Sequence, residues 1–325
     1  MKNISLLIKK LLFITNQYGL KESLLAVIRF FMWPIRDFVR SIIWYFFINN
    51  KKEKIINLRI NKDRMIKLFL NPKDRGISVE LMLEKIHEPY ATKFYINKLS
   101  TMKNLVILDI GANIGYYILI LKDLIIKNNF KIYAFEPDPI NYNILIKNLK
   151  INNLENYVTT YQKAIYNKTG KIKFFISKKR NWNSILTPKS KKDCFTIVKS
   201  ISIIDFVKEN NTRIDIIRMD IEGAEFYLFD NSFKEIIKLY SPDFFIEIHP
   251  KLVKDKKIKN SFFKILDEFN YYITFYSKKI CEEKFFGCYL TTLKPNYKKI
   301  SITDFIKSEE YNKFEELFIL YLSTK

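Results

Sequence analysis

From residue 103 onward, short apolar runs alternate with amphipathic stretches. Residues 105–109 are apolar up to a terminal carboxylate, and Gly111 follows at once, the pattern of a strand buried on both faces of a parallel sheet. The same reading predicts a helix over 114–127, a strand over 131–135, a helix over 139–148 and a strand over 157–162. Two extra strands, 171–177 and 196–201, flank a polar loop at 178–193. A strand at 214–219, a helix from 224, a strand at 243–248 and a helix at 261–269 continue the alternation. Strands at 271–276 and 284–292 and a closing helix at 304–322 complete it. Upstream, residues 54–60 and 65–70 read as two strands around an Asn61-Lys62-Asp63 turn, followed by a helix over 78–86 capped by Ser78. Strands alternating with helices predict an α/β fold, a mostly parallel sheet with helices on both faces.

Residues 1–54 form a separate N-terminal extension and linker, leaving 55–325 as the main domain. Within 23–48, Arg29, Arg36 and Arg40 fall within roughly 40° of one another around a helix, and apolar side chains fill much of the remainder. Trp33 and Trp44 border the basic stripe, and Pro34 kinks or splits the helix. Such a helix suits a membrane interface, and it equally suits packing on its own domain or on a partner.

Composition adjusts this picture in a few places. Apolar residues are 48% of 325, enough for a sizeable core. The charge of +22 would point to nucleic acid or an anionic membrane, but only nine of the 56 basic residues are Arg. Lys, Ile and Asn are in excess together, as in an AT-rich genome, so nucleic acid is not the expected partner. Three Cys (Cys194, Cys281, Cys288) and two His (His87, His249) supply neither a CxxC zinc site nor a disulfide framework, and no metal is expected. A reducing, cytoplasmic setting follows, with neither a signal peptide nor a membrane-spanning run in the reading.

Glycine is scarce, at seven residues, so its placement is informative. Asp109-Ile110-Gly111-Ala112-Asn113-Ile114-Gly115 lies between an apolar strand and an amphipathic helix, where glycine permits a tight turn and close backbone approach to a ligand. Glu136 stands directly after the second strand, where an acid reaches a ribose diol. A dinucleotide fingerprint requires Gly where Asn113 stands, and the Asp109 carboxylate would repel a pyrophosphate. S-adenosylmethionine, which has no phosphate and carries an ammonium and a sulfonium, suits the loop better than NAD(P). A purely structural turn remains open on spacing alone.

These motifs together resemble the FkbM family of S-adenosylmethionine-dependent methyltransferases. The resemblance runs in order through Asp74-Arg75-Gly76-Ile77-Ser78, His87-Glu88-Pro89 with Thr92, and the strand and loop of residues 106–117. It continues through Phe135-Glu136-Pro137-Asp138-Pro139 with Asn141 and Asn148, Asp205, Asp220-Ile221-Glu222-Gly223-Ala224-Glu225, and Glu247-Ile248-His249. It covers residues 74–249 and leaves 1–54 and the tail after about 295 outside. The resemblance implies a Rossmann-like class I methyltransferase fold, with a seven-stranded sheet whose last strand is antiparallel. It implies methyl transfer, most often to a hydroxyl of a sugar or secondary metabolite. It also assigns Asp109, Gly111, Asn113 and Gly115 to the methionine-binding loop, Glu136 to the ribose, Ala164 (in Gln162-Lys163-Ala164) to the adenine edge, and Glu88 and Thr92 to a segment over the cofactor. Arg218 stands where the family usually has Lys, and Asn181-Trp182-Asn183-Ser184 matches the family only loosely.

Asp109, Asp220 and the Glu247–His249 segment fall at strand ends that converge at the mouth of such a sheet. Asp220 is the candidate for contact with the cofactor's ammonium or the acceptor, or else caps the next helix. Glu222 and Glu225 either contribute directly or favour that helix's first turn, and with Asp220 they stand as an alternative set of oxygen ligands for a divalent cation. His249 is the candidate general base, because an imidazole titrates near neutrality. The reading is an O-methyltransferase acting on a glycan or related metabolite. An NAD-dependent or nucleotide-sugar oxidoreductase and a non-catalytic glycan-assembly partner stand as rivals.

Overall fold

The computed structural model describes residues 42, 45, 54–60, 65–71, 74, 76–177, 183–186, 194–278, 299–308, 311 and 318–324. The expected helix at 23–48, the strand at 284–292, Cys281 and Cys288 lie outside these, apart from residues 42 and 45.

The central sheet is built from β3 (Val106–Ile110), β4 (Lys131–Phe135), β5 (Val158–Tyr161), β9 (Ile216–Met219), β10 (Asp243–Ile248), β11 (Tyr272–Lys278), β12 (Ile300–Ser301) and β13 (Phe318–Ser323), in the order β12-β11-β13-β10-β9-β3-β4-β5. The five strands from β5 to β10 are parallel, and β13 runs antiparallel to both β10 and β11. The expected seven-stranded sheet is therefore present, with the two residues of β12 added at its edge. This is the Rossmann-like α/β class.

Period-two alternation places the core on both faces. Ile107, Ile132, Ala134 and Phe245 point into one cluster, which includes α2 (Pro89–Leu99) and α5 (Pro139–Ile151). Leu108, Ile110, Tyr133, Phe135, Phe244, Ile246 and Ile248 point into the other, with α6 (Ile203–Asn210), α8 (Asn231–Tyr240) and α9 (Lys256–Glu268). Chain connections leave in opposite directions from β3 and β9, so the strand order reverses between them and opens a crevice at their carboxyl ends.

Two smaller sheets flank this core. β1 (Lys54–Arg59) and β2 (Met65–Leu70) form an antiparallel pair docked on α5. β6 (Ala164–Ile165), β7 (Gly170–Ile176) and β8 (Cys194–Ile201) form a three-stranded sheet in the order β6-β8-β7.

Several expectations need correction. Residues 304–322 are not one helix: α10 is Ile302–Lys307, and Phe318–Ser323 is a strand buried at every position, so its apolar run carries no period to distinguish it from a helix. The helix expected over 114–127 is divided into α3 (Tyr116–Leu119) and α4 (Lys122–Asn128). The helix α1 (Ile77–Glu84) is not capped by Ser78. Asp74 binds its first turn instead, accepting from the Gly76 and Ser78 amides at 2.8 and 2.9 Å. Among the described residues, no helix is long and apolar enough to cross a membrane.

Candidate functional site

At the carboxyl ends of β3, β4 and β9 lies a solvent-open cleft of about 560 Å³. Gly111, Asn113, Glu136, Lys163, Ala164, Asp220 and Glu222 are among its lining residues, with Asn183 and Ser184 on the wall formed by the small sheet. The sequence-expected residues therefore separate into those at the cleft and those behind it. Asp109, Gly115, Glu88, Thr92 and His249 do not line it.

The turn after β3 is tight because the Gly111 and Ala112 amides both donate to the Phe135 carbonyl, at 3.0 and 2.9 Å. Gly111 adopts φ +81°, and a Cβ there would meet the Asp220 carbonyl oxygen at 2.1 Å. Its role is to let two strand ends approach each other, not only to admit a ligand. Gly115, at φ +88°, opens α3 and packs on Leu145, where a Cβ would come within 2.7 Å.

Glu136 follows β4 and is buried. Its Oε2 accepts from the Asn113 amide at 2.9 Å and its Oε1 from the Asp138 amide at 2.8 Å. Burial, then the neighbouring Asp138 charge, push its carboxyl up to about 8, against the pull of those two amides. Asp138 caps α5 and accepts from Asn183 Nδ2 at 2.7 Å, tying that wall to the strand end.

Behind the loop lies a residue that sequence reasoning did not place in the site. The Arg218 guanidinium reaches Asp109 Oδ1 at 3.3 Å, the Gly111 carbonyl at 2.8 Å and Asp220 Oδ2 at 3.2 Å, and lies 4.6 Å from the Tyr117 ring centroid. Burial opposes its charge, but Asp109 and Asp220 outweigh it and hold its pKa above the ordinary value. Asp109, 2% exposed, is raised by burial in spite of Arg218. Asp109 thus faces this guanidinium instead of the cleft. The signal was available in the sequence, as a cation inside an apolar strand two residues before Asp220.

Glu88 and Thr92 belong to an adjoining buried network. Glu88 accepts from the Tyr117 hydroxyl at 2.6 Å and lies 3.3 Å from His87 Nε2. Thr92 donates to the His87 carbonyl at 2.7 Å and lies 3.1 Å from the Tyr116 hydroxyl. Glu88 connects to the loop through Tyr117 and Arg218.

On the other side of Asp220, Glu222 sits at φ +56° and Glu225 is fully buried. Glu225 accepts from the His249 amide at 2.7 Å, from the Gly223 amide at 2.8 Å, and pairs with His249 Nδ1 at 2.9 Å. His249 Nε2 lies 3.4 Å from Glu222 and 3.7 Å from Glu247. Burial opposes protonation, but Glu222, Glu225 and Glu247 prevail and raise the His249 pKa to about 10. The three carboxylates favour the protonated ring, whereas the expected general base would need the neutral one. Asp220, Glu222 and His249 can bring one ligand atom each within 4.8 Å of one another, a spacing a metal ion could bridge if the imidazolium lost its proton.

Among the described residues, three buried side-chain oxygens lack a protein partner: Thr274 Oγ1, away from the cleft, and Asn113 Oδ1 and Asp220 Oδ1, which belong to residues lining it. Unmet buried acceptors call for a donor. An ammonium and hydroxyl groups meet that demand, whereas a diphosphate brings only further acceptors. The acceptors of this chain therefore fit the S-adenosylmethionine that the sequence motifs imply.

Comparison with known proteins agrees with this chemistry. The family profile described as the methyltransferase FkbM domain matches residues 109–273. No curated protein matches the sequence significantly. Among solved structures, the chain is similar to the methyltransferase FkbM from Methylobacillus flagellatus, at 21% identity over 50% of this chain and 38% of that one, TM-score 0.36. It is also similar to M. jannaschii TYW2, a structure in complex with AdoMet, at 13% identity over 84% and 88% of the two chains, TM-score 0.37. A third is M. capricolum TrmK in complex with S-adenosyl-homocysteine, at 14% identity over 71% and 68%, TM-score 0.32. The chain spans little more than a third of the length of the M. flagellatus structure.

Proposed function

The chain belongs to the FkbM methyltransferase family, and from that premise we propose that it transfers a methyl group from S-adenosylmethionine to a hydroxyl of a sugar, glycan or related metabolite. The observation that carries the cofactor assignment is the pair of partnerless buried acceptors, Asn113 Oδ1 and Asp220 Oδ1, at a cleft whose floor also presents Glu136.

Glu136 holds the Asn113 and Asp138 amides, and its carboxyl, whose pKa burial raises, can still hydrogen-bond a diol as acceptor or, when protonated, as donor. Asp220 and Asn113 accept from an ammonium, and the Arg218 cation fixes the Asp220 carboxylate through its other oxygen. Lys163 and Ala164 form the edge against which an adenine packs. The chemistry that the cofactor brings when bound is an electrophilic methyl group on a sulfonium, open to in-line displacement by an acceptor oxygen.

The acceptor side falls to Glu222, Asp220 and His249. Because its three carboxylate neighbours favour a protonated His249, the proton of the acceptor hydroxyl goes to a carboxylate, and Glu222 is the one both at the cleft and beside the imidazole. His249 is then a positioning donor, itself fixed by Glu225. An acidic rim of this kind supports a polyol acceptor, whose hydroxyls donate to carboxylates. Cysteine usage supports a reducing, cytoplasmic setting.

The test is to incubate the protein with radiolabelled methyl donor and host glycan, lipid and RNA fractions. Label in a carbohydrate-containing fraction, lost in Glu222→Gln, is the expected result. Label confined to RNA would overturn the acceptor assignment.

A further inference from the structure

The small sheet that walls the cleft has a second face. Its inner side is apolar: Ile172, Phe174 and Val198 pack with Ala164, and Phe174 and Ala164 reach the cleft. Its outer side presents three cross-strand pairs in register, Lys171 opposite Lys199, Lys173 opposite Ile197, and Phe175 opposite Phe195. Phe195 is 55% exposed and Ile197 53%, and all three lysines are exposed. The sheet thus carries an apolar tip and a basic base, next to the active cleft.

Contacts within the sheet account for only part of this pattern, through Phe175 and Lys173 against the Phe195 ring. Two exposed large apolar side chains on alternate positions of one strand gain nothing from water. Lysines directly opposite each other repel. The surrounding sequence sharpens the contrast: residues 168–199 hold nine Lys, one Arg and a single Asp, so a tenth of the chain carries much of its net charge of +22.

We infer that this outer face docks on an anionic phospholipid surface, with Phe195 and Ile197 entering the headgroup boundary and the lysines against lipid phosphates. Charge complementarity identifies the partner as anionic. The side chains favour lipid over nucleic acid. Basic groups here are nearly all Lys, a point charge, where nucleic-acid surfaces favour the bidentate Arg. The Phe195 ring has Lys173 Nζ 5.1 Å from its centroid and Phe175 at its edge, so part of its surface is already taken within the sheet. Docking of this kind would bring the cleft mouth beside a lipid surface. It holds whether or not the acceptor is a glycan, and it is independent of residues 23–48.

The test is co-sedimentation of the full chain with phosphatidylcholine vesicles, with and without phosphatidylglycerol, over a salt series. Binding only to the anionic vesicles and weakening with salt is expected. Phe195→Ser with Ile197→Ser, and separately Lys171→Glu with Lys199→Glu, should each weaken it by about tenfold. Leu239→Ser, an exposed apolar residue on α8, should leave it unchanged. An environment-sensitive dye on the exposed Cys194, in a Cys281→Ser, Cys288→Ser background, should shift to the blue on binding without any change to the docking face. Absence of that shift, or sedimentation of both double variants like the parent, overturns the inference. So does vesicle binding abolished only by removing residues 1–50, or RNA binding that is lost in the double variants while vesicle binding persists.

Discussion

Asn148 on α5 and Asn152 at its C-terminal cap, one turn apart, each hold a backbone position of β2 by both its groups. Asn148 Oδ1 accepts from the Phe69 amide at 2.6 Å and its Nδ2 donates to the Phe69 carbonyl at 3.3 Å. Asn152 does the same for Lys67, at 3.1 and 2.7 Å. The two side chains thus stand in for a neighbouring strand along one edge of the β1–β2 pair. Asn148 Nδ2 also donates to the Ile114 carbonyl at 2.7 Å, which ties the hairpin to the loop above the cleft.

Replacing either asparagine leaves backbone groups unmet. Asn148→Ala and Asn152→Ala should each cost about 1–3 kcal/mol, because each also releases a further carbonyl, Ile114 for Asn148 and Asn148 for Asn152. Urea denaturation measures both, and a loss near zero in either would contradict the bridging role given to the pair.

Arg218 should be among the costliest single sites. Arg218→Met leaves Asp109 buried without its partner and should lose about 3–5 kcal/mol. Asp109→Asn in the same chain should restore part of that loss in a chemical melt. An Arg218→Met protein as stable as the parent would dismiss the ion pair as the support of the loop.

The His249 cluster makes a pH prediction. Its folded pKa of about 10 lies above the unfolded value of 6.5, so its contribution to stability is fully present below 6.5 and is lost as pH rises through about 10. Glu136 acts in the same direction over a lower window, from 4.5 to about 8. The melting temperature should fall on the alkaline side. His249→Gln should flatten the slope between 6.5 and 10, and Glu136→Gln the slope between 4.5 and 8. A slope unchanged by either substitution would contradict the assignment.

These sites also mark where the sequence was readable and where it was not. β3, β4 and β10 announced themselves as apolar runs ending beside Gly111, Glu136 and His249, because parallel strands are buried on both faces. The same full burial hid β13, whose Phe318–Ser323 run follows a Glu-rich stretch and has no period of its own. The helices α2, α6 and α8 were passed over although Pro89 opens the first and Ser202 and Asp230 cap the others. At the site, local motifs located Gly111, Asn113, Glu136, Asp220 and Glu222 at the cleft. Spacing could not show that Asp109 turns to Arg218, a neighbour on the adjacent strand, or that Glu225, at the start of a short helix, closes on His249 24 residues later.

The central claim is that the cleft receives an ammonium-bearing adenosyl ligand through acceptors left open by the fold. Titration calorimetry with S-adenosylhomocysteine tests it most directly, on the parent chain and on Asp220→Asn. The account predicts binding to the parent, weakened by about tenfold or more in Asp220→Asn, which corresponds to about 1.4 kcal/mol, and no heat with NADH. Binding of NADH in place of S-adenosylhomocysteine, or equal affinity in the two proteins, would contradict it.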